Sequence, residues 1–239
     1  MLQGRFFKGM KACRLSSNLQ LLTFCSSWGY YLKNYLNIGV DNLAVNGRST
    51  RSYINEGKWK TLLDSTNAGD FVIIEMGHND DVDPKTDTND RGTLPGAGEE
   101  TVVVTTSKGT KETVHTFGWY LRKMIADVKA KNAVPVISGM VPRNYWKGNT
   151  LQADWPFADT AKQVAQKAGV QYADHTKHSV AAFQALGPTK AKTYFPNDNT
   201  HTNPAGAQIN TNAFAQAVKC GSKLSLASHL NANGQAVSC

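Results

Sequence analysis

Phe71-Val-Ile-Ile-Glu-Met-Gly-His-Asn-Asp80 carries an apolar, β-branched run straight into a glycine and three polar residues. Such an unbroken run reads as a strand buried on both faces, the condition of a parallel sheet covered by helices. Comparable runs lie at 38–45, 134–141 and 170–173, separated by helix-period stretches at 52–63, 116–131, 155–167, 179–186 and 204–219. Gly169, Gly187 and Gly221 supply helix stop signals. Strand alternating with helix predicts an α/β fold, a parallel sheet with helices on both faces. Ligands bind such sheets beyond the C-terminal strand ends. Gly47, Asn79 and the Pro142-Arg143-Asn144 loop all follow predicted strands.

A second stretch, Phe195-Pro-Asn-Asp-Asn-Thr-His-Thr-Asn-Pro204, sets Asp198 and His201 three residues apart before a helical segment. An aspartate so placed can accept the proton of one imidazole nitrogen and turn the other toward a nucleophile as general base. Asn203 suits the N-cap and Pro204 the first helical position, which would hold His201 on a rigid lip. The same spacing also describes a surface pair beside a helix end. Gly47, in Ala44-Val-Asn-Gly-Arg-Ser-Thr-Arg-Ser-Tyr53, and Asn79 offer the backbone N–H and carboxamide N–H₂ that an oxyanion hole needs. Each has an everyday use as well, a tight turn for Gly47 and an Asx turn for Asn79.

In their order and setting these elements resemble three of the four sequence blocks of the SGNH (GDSL-type) hydrolases. Ser27-Trp-Gly-Tyr-Tyr-Leu32, Gly47-Arg-Ser-Thr-Arg-Ser-Tyr53, Val141-Pro-Arg-Asn-Tyr-Trp146 and Tyr194 to Ala207 are similar to the fungal rhamnogalacturonan acetylesterase branch. The resemblance spans residues 27–239. It implies a flavodoxin-like three-layer α/β/α fold with a parallel sheet, in which the family's central first strand is here absent or replaced, together with secretion and removal of O-acetyl groups from pectic rhamnogalacturonan. It also implies His201 as general base, Asp198 as its partner, and Gly47 and Asn79 as oxyanion donors. The implied chemistry requires no cofactor and no metal. The implied partner is an acetylated polysaccharide, and the chain is expected to act as a monomer.

The family's first block, Gly-Asp-Ser, which supplies the nucleophile, occurs nowhere in the chain. Residues 1–26 resemble no part of the family and are read as an anomalous segment ahead of a hydrolase domain at 27–239. Three explanations stand: a natural loss of the serine, a misassembled first exon, or a surrogate strand at 19–25 presenting Ser26 or Ser27 at a strand-to-helix turn. The abrupt start of the match at Ser27 favours the second. Ser26 and Ser27 also suit the cap of a helix beginning at Trp28. Without a nucleophile the alternative is an inactive carbohydrate-binding protein on the same fold. Within the enzyme class, another acyl ester such as acetylxylan or a lipid is a further alternative.

The chain has 239 residues, 41% hydrophobic, and no apolar run approaching the ~18 residues of a membrane span. The net charge is +8, but Arg5, Lys8, Lys11 and Arg14 hold four of those charges, leaving +4 for residues 27–239. With no basic-aromatic recognition module, nucleic acid is not an expected partner. The basic start and the short apolar piece that follows lack a small-residue cleavage site and do not make a signal peptide. Cys220 and Cys239 bracket the tail, where the resemblance implies a disulfide; Cys13 and Cys25 fall in the anomalous segment.

Residues 81–111 read as a long solvated loop. Its aspartates depart from a calcium loop, with Lys85 at the fifth position and no Glu at the twelfth. His175 and His178 read as exposed surface histidines rather than zinc ligands, having no third partner. Trp119 and Trp155 read as core, and Trp146 as either packing or a sugar contact. Arg48, Arg51 and Arg143 are cations suited to a galacturonate carboxylate or to the surface.

Overall fold

Alternate residues of one buried strand feed two separate cores, and that division organises the molecule. In the computed structural model, which describes residues 6–8 (as backbone), 27–221 and 224–239, the strand is β2 (Phe71–Ile74). Val72 and Ile74 face a core with Tyr53, Trp59, Leu62, Phe117, Leu121, Met124, Ile137 and Phe157. Phe71 and Ile73 face the other, with Trp28, Leu32, Val136, Ala173, Phe214, Leu226 and Leu230. All four β2 residues are buried, the period-2 consequence of a sheet covered on both sides.

The parallel sheet runs β1-β2-β5-β8, where β1 is Phe6–Lys8, β5 Val134–Ser138 and β8 Gln171–Ala173. One helical layer holds α2 (Thr50–Asn55), α3 (Lys58–Ser65), α4 (Phe117–Ala130) and α5 (Pro156–Lys167). The opposite side carries α1 (Trp28–Tyr31) and α7 (Pro204–Cys220), with α6 (His175–Lys192) packed beside α7. The tail ends in α8 (Ala232–Ala236), and a disulfide joins Cys220 to Cys239. This is the three-layer α/β/α arrangement expected from the sequence.

Four expectations are corrected. Residues 38–45 form no strand: Leu36 and Asn37 bond the tail at Leu230 and His229, and Asn42 turns back to accept from Ala44 N–H. Within 38–45 only Asp41 makes an isolated β-bridge, so the apolar residues build no extended ladder. The first strand, read as absent or replaced, is supplied by Phe6–Lys8, and with no strand at 38–45 it stands at the sheet edge among the described residues and not at the centre, where a flavodoxin-like order puts it. The segment 19–25 suggested as a surrogate strand, like Cys13, Cys25 and Ser26, lies outside the described residues.

The third correction concerns 81–111, which contains β3 (Thr101–Thr105), paired antiparallel with β4 (Lys111–His115). Thr-Val-Val-Val-Thr is a strand composition whose partner begins where the predicted loop ends. The fourth concerns the helix expected at 52–63, which breaks into α2 and α3 at Glu56–Gly57. β6 (Trp146–Lys147) and β7 (Thr150–Leu151) form a small hairpin.

Candidate active site

The end of β2 and the start of α2 are tied together by one buried carboxylate. Asp80 Oδ1 accepts Thr50 N–H at 3.0 Å and Thr50 Oγ1–H at 2.5 Å, while Oδ2 accepts Gly77 N–H at 3.1 Å. Ser49 closes the same helix end with a capping box, accepting Ser52 N–H while Ser52 Oγ accepts from Ser49 N–H. Gly77 has φ +137°, and a Cβ there would lie 2.6 Å from Met140 Sδ and 3.0 Å from Phe157 Cβ, so glycine lets the chain turn closely against these two side chains. These contacts bring the two predicted oxyanion donors together. Asn79 Nδ2 donates to the carbonyl of Arg48 at 3.2 Å, immediately after Gly47. That bond takes one carboxamide hydrogen and leaves the other to point away. Gly47 itself has φ +71°, a left-handed conformation that favours glycine.

His201 and Asp198 meet as the spacing predicts. Asp198 Oδ1 accepts Thr200 N–H and His201 N–H, both at 2.6 Å, and Oδ2 receives His201 Nδ1–H at 2.5 Å. Partial burial works against the charge, but these donors prevail and hold the Asp198 carboxyl below the usual carboxylate range. Asn203 caps α7, its Oδ1 accepting Gly206 N–H at 2.9 Å, with Pro204 in the first turn. His201 Nε2 has no hydrogen-bond partner among the described residues.

The loop after β5 links the two halves. His78 Nε2 donates to Val141 O at 2.8 Å, Arg143 Nη2 to His78 O at 3.0 Å, and Asn144 N–H to Asn199 O at 2.7 Å. The Asn79 turn and the Asp198–His201 turn are therefore both bonded to residues 141–144. Ser27 stands at the N-cap of α1 without a side-chain capping bond, and its Oγ accepts from Asn42 Nδ2 at 3.4 Å, not from His201.

His175 departs most from the sequence reading. It is fully buried: Nδ1 bonds Glu75 Oε2 at 2.7 Å and Nε2 donates to Asn210 O at 2.7 Å. Glu75 also accepts Trp28 Nε1–H at 3.0 Å and Ser138 Oγ–H at 2.6 Å. A signal existed in the sequence. Glu75 interrupts an apolar run, and a buried carboxylate requires donors. His178 is partly buried, and desolvation with nearby Lys177 lowers its pKa.

Arg51 is buried and bonded to Glu112 and to Gly92 O, and Arg48 to Glu56 and Asn46 O. Of the three cations named from sequence, only Arg143 keeps a buried guanidinium atom, Nε, without a partner among the described residues. Trp155 is core, as read; Trp119 is half-buried and stacks on His115 at 3.8 Å; Trp146 packs beside Leu151 and Phe183 and donates to Asn144. The loop aspartates serve their own turns, Asp87 accepting from Asn89, Arg91 and Gly92 N–H and Asp90 from Ser107. Among the described residues no group of three or more His, Cys, Asp or Glu could hold a metal ion.

A family model described as the GDSL-like Lipase/Acylhydrolase family matches residues 22–209. The chain belongs to this family. Among curated proteins, this GDSL-like hydrolase is 37% identical over 207 residues to the rhamnogalacturonan acetylesterase of Emericella nidulans, covering 86% of this chain and 84% of that one. It is 30% identical to the probable rhamnogalacturonan acetylesterase YesY of Bacillus subtilis, covering 80% and 82%. Solved structures agree on the fold. The YxiM protein of Bacillus subtilis superposes with TM-score 0.69 at 21% identity, over 92% of this chain and 57% of that one. The acetylxylan esterase Axe2 of Geobacillus stearothermophilus gives 0.58 at 14%, over 90% and 93%. No helix among the described residues is long and apolar enough to cross a membrane.

Proposed function

We propose that this hydrolase is a carbohydrate acetylesterase that removes O-acetyl groups from pectic rhamnogalacturonan. The observation that carries the reading is the Asp198–His201 pair, its Nε2 unengaged, bonded through residues 141–144 to the turn that carries Asn79. His201 takes the proton of the attacking hydroxyl and returns it to the leaving sugar oxygen; Asp198 keeps Nδ1 protonated so that Nε2 is the base. Gly47 N–H and Asn79 Nδ2–H receive the oxyanion as the acetyl carbonyl becomes tetrahedral. Water then hydrolyses the acyl-enzyme by the same base. The relatives' names support the pectic substrate. The Cys220–Cys239 disulfide supports a secreted protein.

The attacking hydroxyl does not come from a Gly-Asp-Ser block, and Ser26 is the first residue to replace in seeking it, followed by Ser27. The missing block favours a second reading, a carbohydrate-binding protein that retains the fold and has lost turnover. Acetate release from acetylated rhamnogalacturonan, by this chain and by His201→Ala, separates the two. Release that disappears in the variant supports the esterase. No release from folded protein that still binds the polysaccharide supports the second reading.

A further inference from the structure

Arg91 lies in the acidic loop, outside every motif, and its guanidinium rests on Gly47. A Cβ placed at Gly47 would stand 3.3, 3.4 and 3.5 Å from Arg91 Nη1, Cζ and Nη2. Three nearly equal distances mean that the guanidinium plane lies face-on over this residue. Its N–H groups, which lie in that plane, are therefore directed away from Gly47 and not onto it.

The neighbouring cations are engaged. Arg51 is bonded to Glu112 and Arg48 to Glu56, whereas the half-exposed Arg91 side chain has no hydrogen bond or ion pair among the described residues. Its backbone is nonetheless held firmly. Asp87 Oδ2 accepts the N–H of Arg91 at 2.5 Å and of Gly92 at 2.6 Å, Gly92 O accepts Arg51 Nη1–H at 3.1 Å, and Thr93 N–H donates to Asp80 O at 3.2 Å. The loop that delivers Arg91 is thus bonded to the same Asp80 turn that fixes Asn79. A positioned, uncompensated guanidinium beside an oxyanion site is a receptor for a planar anion.

We propose that Arg91 binds the carboxylate of a uronic acid residue at or next to the acetylated sugar, and so makes the site selective for acidic over neutral polysaccharide. This rests on Gly47 being an oxyanion donor of an acetylesterase, as read above. Of the arginines considered from sequence, Arg48 and Arg51 are replaced in this role by one that spacing did not single out.

The test is calorimetric binding of acetylated rhamnogalacturonan oligosaccharides and of their carboxyl-reduced, neutral counterparts to the full chain and to Arg91→Gln. The wild-type chain is expected to prefer the acidic ligand by about tenfold, the effect of one charge-assisted contact, and the preference is expected to shrink as salt is raised. Arg91→Gln is expected to bind both ligands equally, at the wild-type affinity for the neutral one. A wild-type chain that does not distinguish the ligands, or binds neither, overturns the proposal, as does a variant that keeps the preference. Acetate release, measured on the same samples, reads the esterase assignment separately. Charge preference that Arg91→Gln abolishes, without release, leaves Arg91 as the carboxylate contact of a binding protein and removes the esterase reading; release without charge preference does the reverse.

Discussion

Glu75–His175 and Asp198–His201 are both carboxylate–imidazole pairs joined through Nδ1, at 2.7 and 2.5 Å. What differs is the other nitrogen and the solvent. His175 and Glu75 have side chains with 0% exposure, and His175 Nε2 is used by Asn210 O. His201 and Asp198 have side chains 26% and 44% exposed, and Nε2 has no hydrogen-bond partner among the described residues. An imidazole whose two nitrogens are both taken is a structural crosslink. One with a carboxylate behind it and nothing in front is a base in waiting. The buried pair joins the end of β2 to the start of α6, with Trp28 of α1 and Ser138 at the end of β5 bonded to the same carboxylate. It fastens the floor on which the exposed pair's surroundings are built.

The largest effects should separate the pairs completely. His201→Ala is expected to reduce acetate release by at least about a thousandfold while shifting the thermal midpoint by no more than ~2 °C. His175→Ala leaves a buried carboxylate short of a donor and is expected to cost about 3–5 kcal/mol, or roughly 6–20 °C in midpoint for a domain of this size. Circular dichroism melts beside acetate assays check both. Equal melting losses for the two variants would mean that the exposed pair is also a crosslink.

Amide substitutions sharpen the contrast. Asp198→Asn keeps the shape, but if its oxygen continues to serve the two backbone N–H groups, its N–H₂ faces His201 Nδ1. The proton must then move to Nε2, and the base is lost, with an expected fall of about 10²- to 10⁴-fold in kcat and little change in stability. Glu75→Gln meets the opposite situation. His175 already donates from Nε2 to Asn210 O, so Nδ1 can accept from the new amide, and Ser138 Oγ can turn to Gly139 O, 3.3 Å away. All partners remain satisfied, and the expected cost is about 1 kcal/mol. A urea midpoint for Glu75→Gln as low as that of His175→Ala would show that charge, and not hydrogen bonding, holds the buried pair.

The two pairs were also unequally legible. Asp198 and His201 are three residues apart, and the turn that joins them is local, so sequence spacing contains the contact. Glu75 and His175 are 100 residues apart. Apolar periodicity marks β2 and α6 as elements but does not say which of their residues meet, so from sequence His175 reads as exposed. The same limit explains Arg91, whose contact with Gly47 is made by a loop held through Asp87 and Asp80. β2, β5, α4, α5 and α7 were readable because their residues obey one period from end to end. Residues 38–45 had the composition of a strand, but their neighbours' backbone groups pair with the tail near Leu230, a choice that propensity cannot express.

The smallest expected effect is in acid. Asp198 has its folded pKa lowered, with the donors of His201 and Thr200 outweighing the opposing effect of burial. Its contribution to stability is therefore complete above the unfolded carboxylate value of about 3.9 and is lost as pH falls through the lower folded value. Asp198→Asn has no such proton to gain. The stability advantage of the wild type over Asp198→Asn should hold steady between about pH 5 and 7 and shrink below about pH 4. Because the aspartate is nearly half exposed, solvent screening keeps the change small, and it must be read as a difference between paired urea curves at each pH. An advantage that persisted undiminished to about pH 2.5 would show that the Asp198 turn is held by shape alone. The assignment of a charged partner behind His201 would then lose its support.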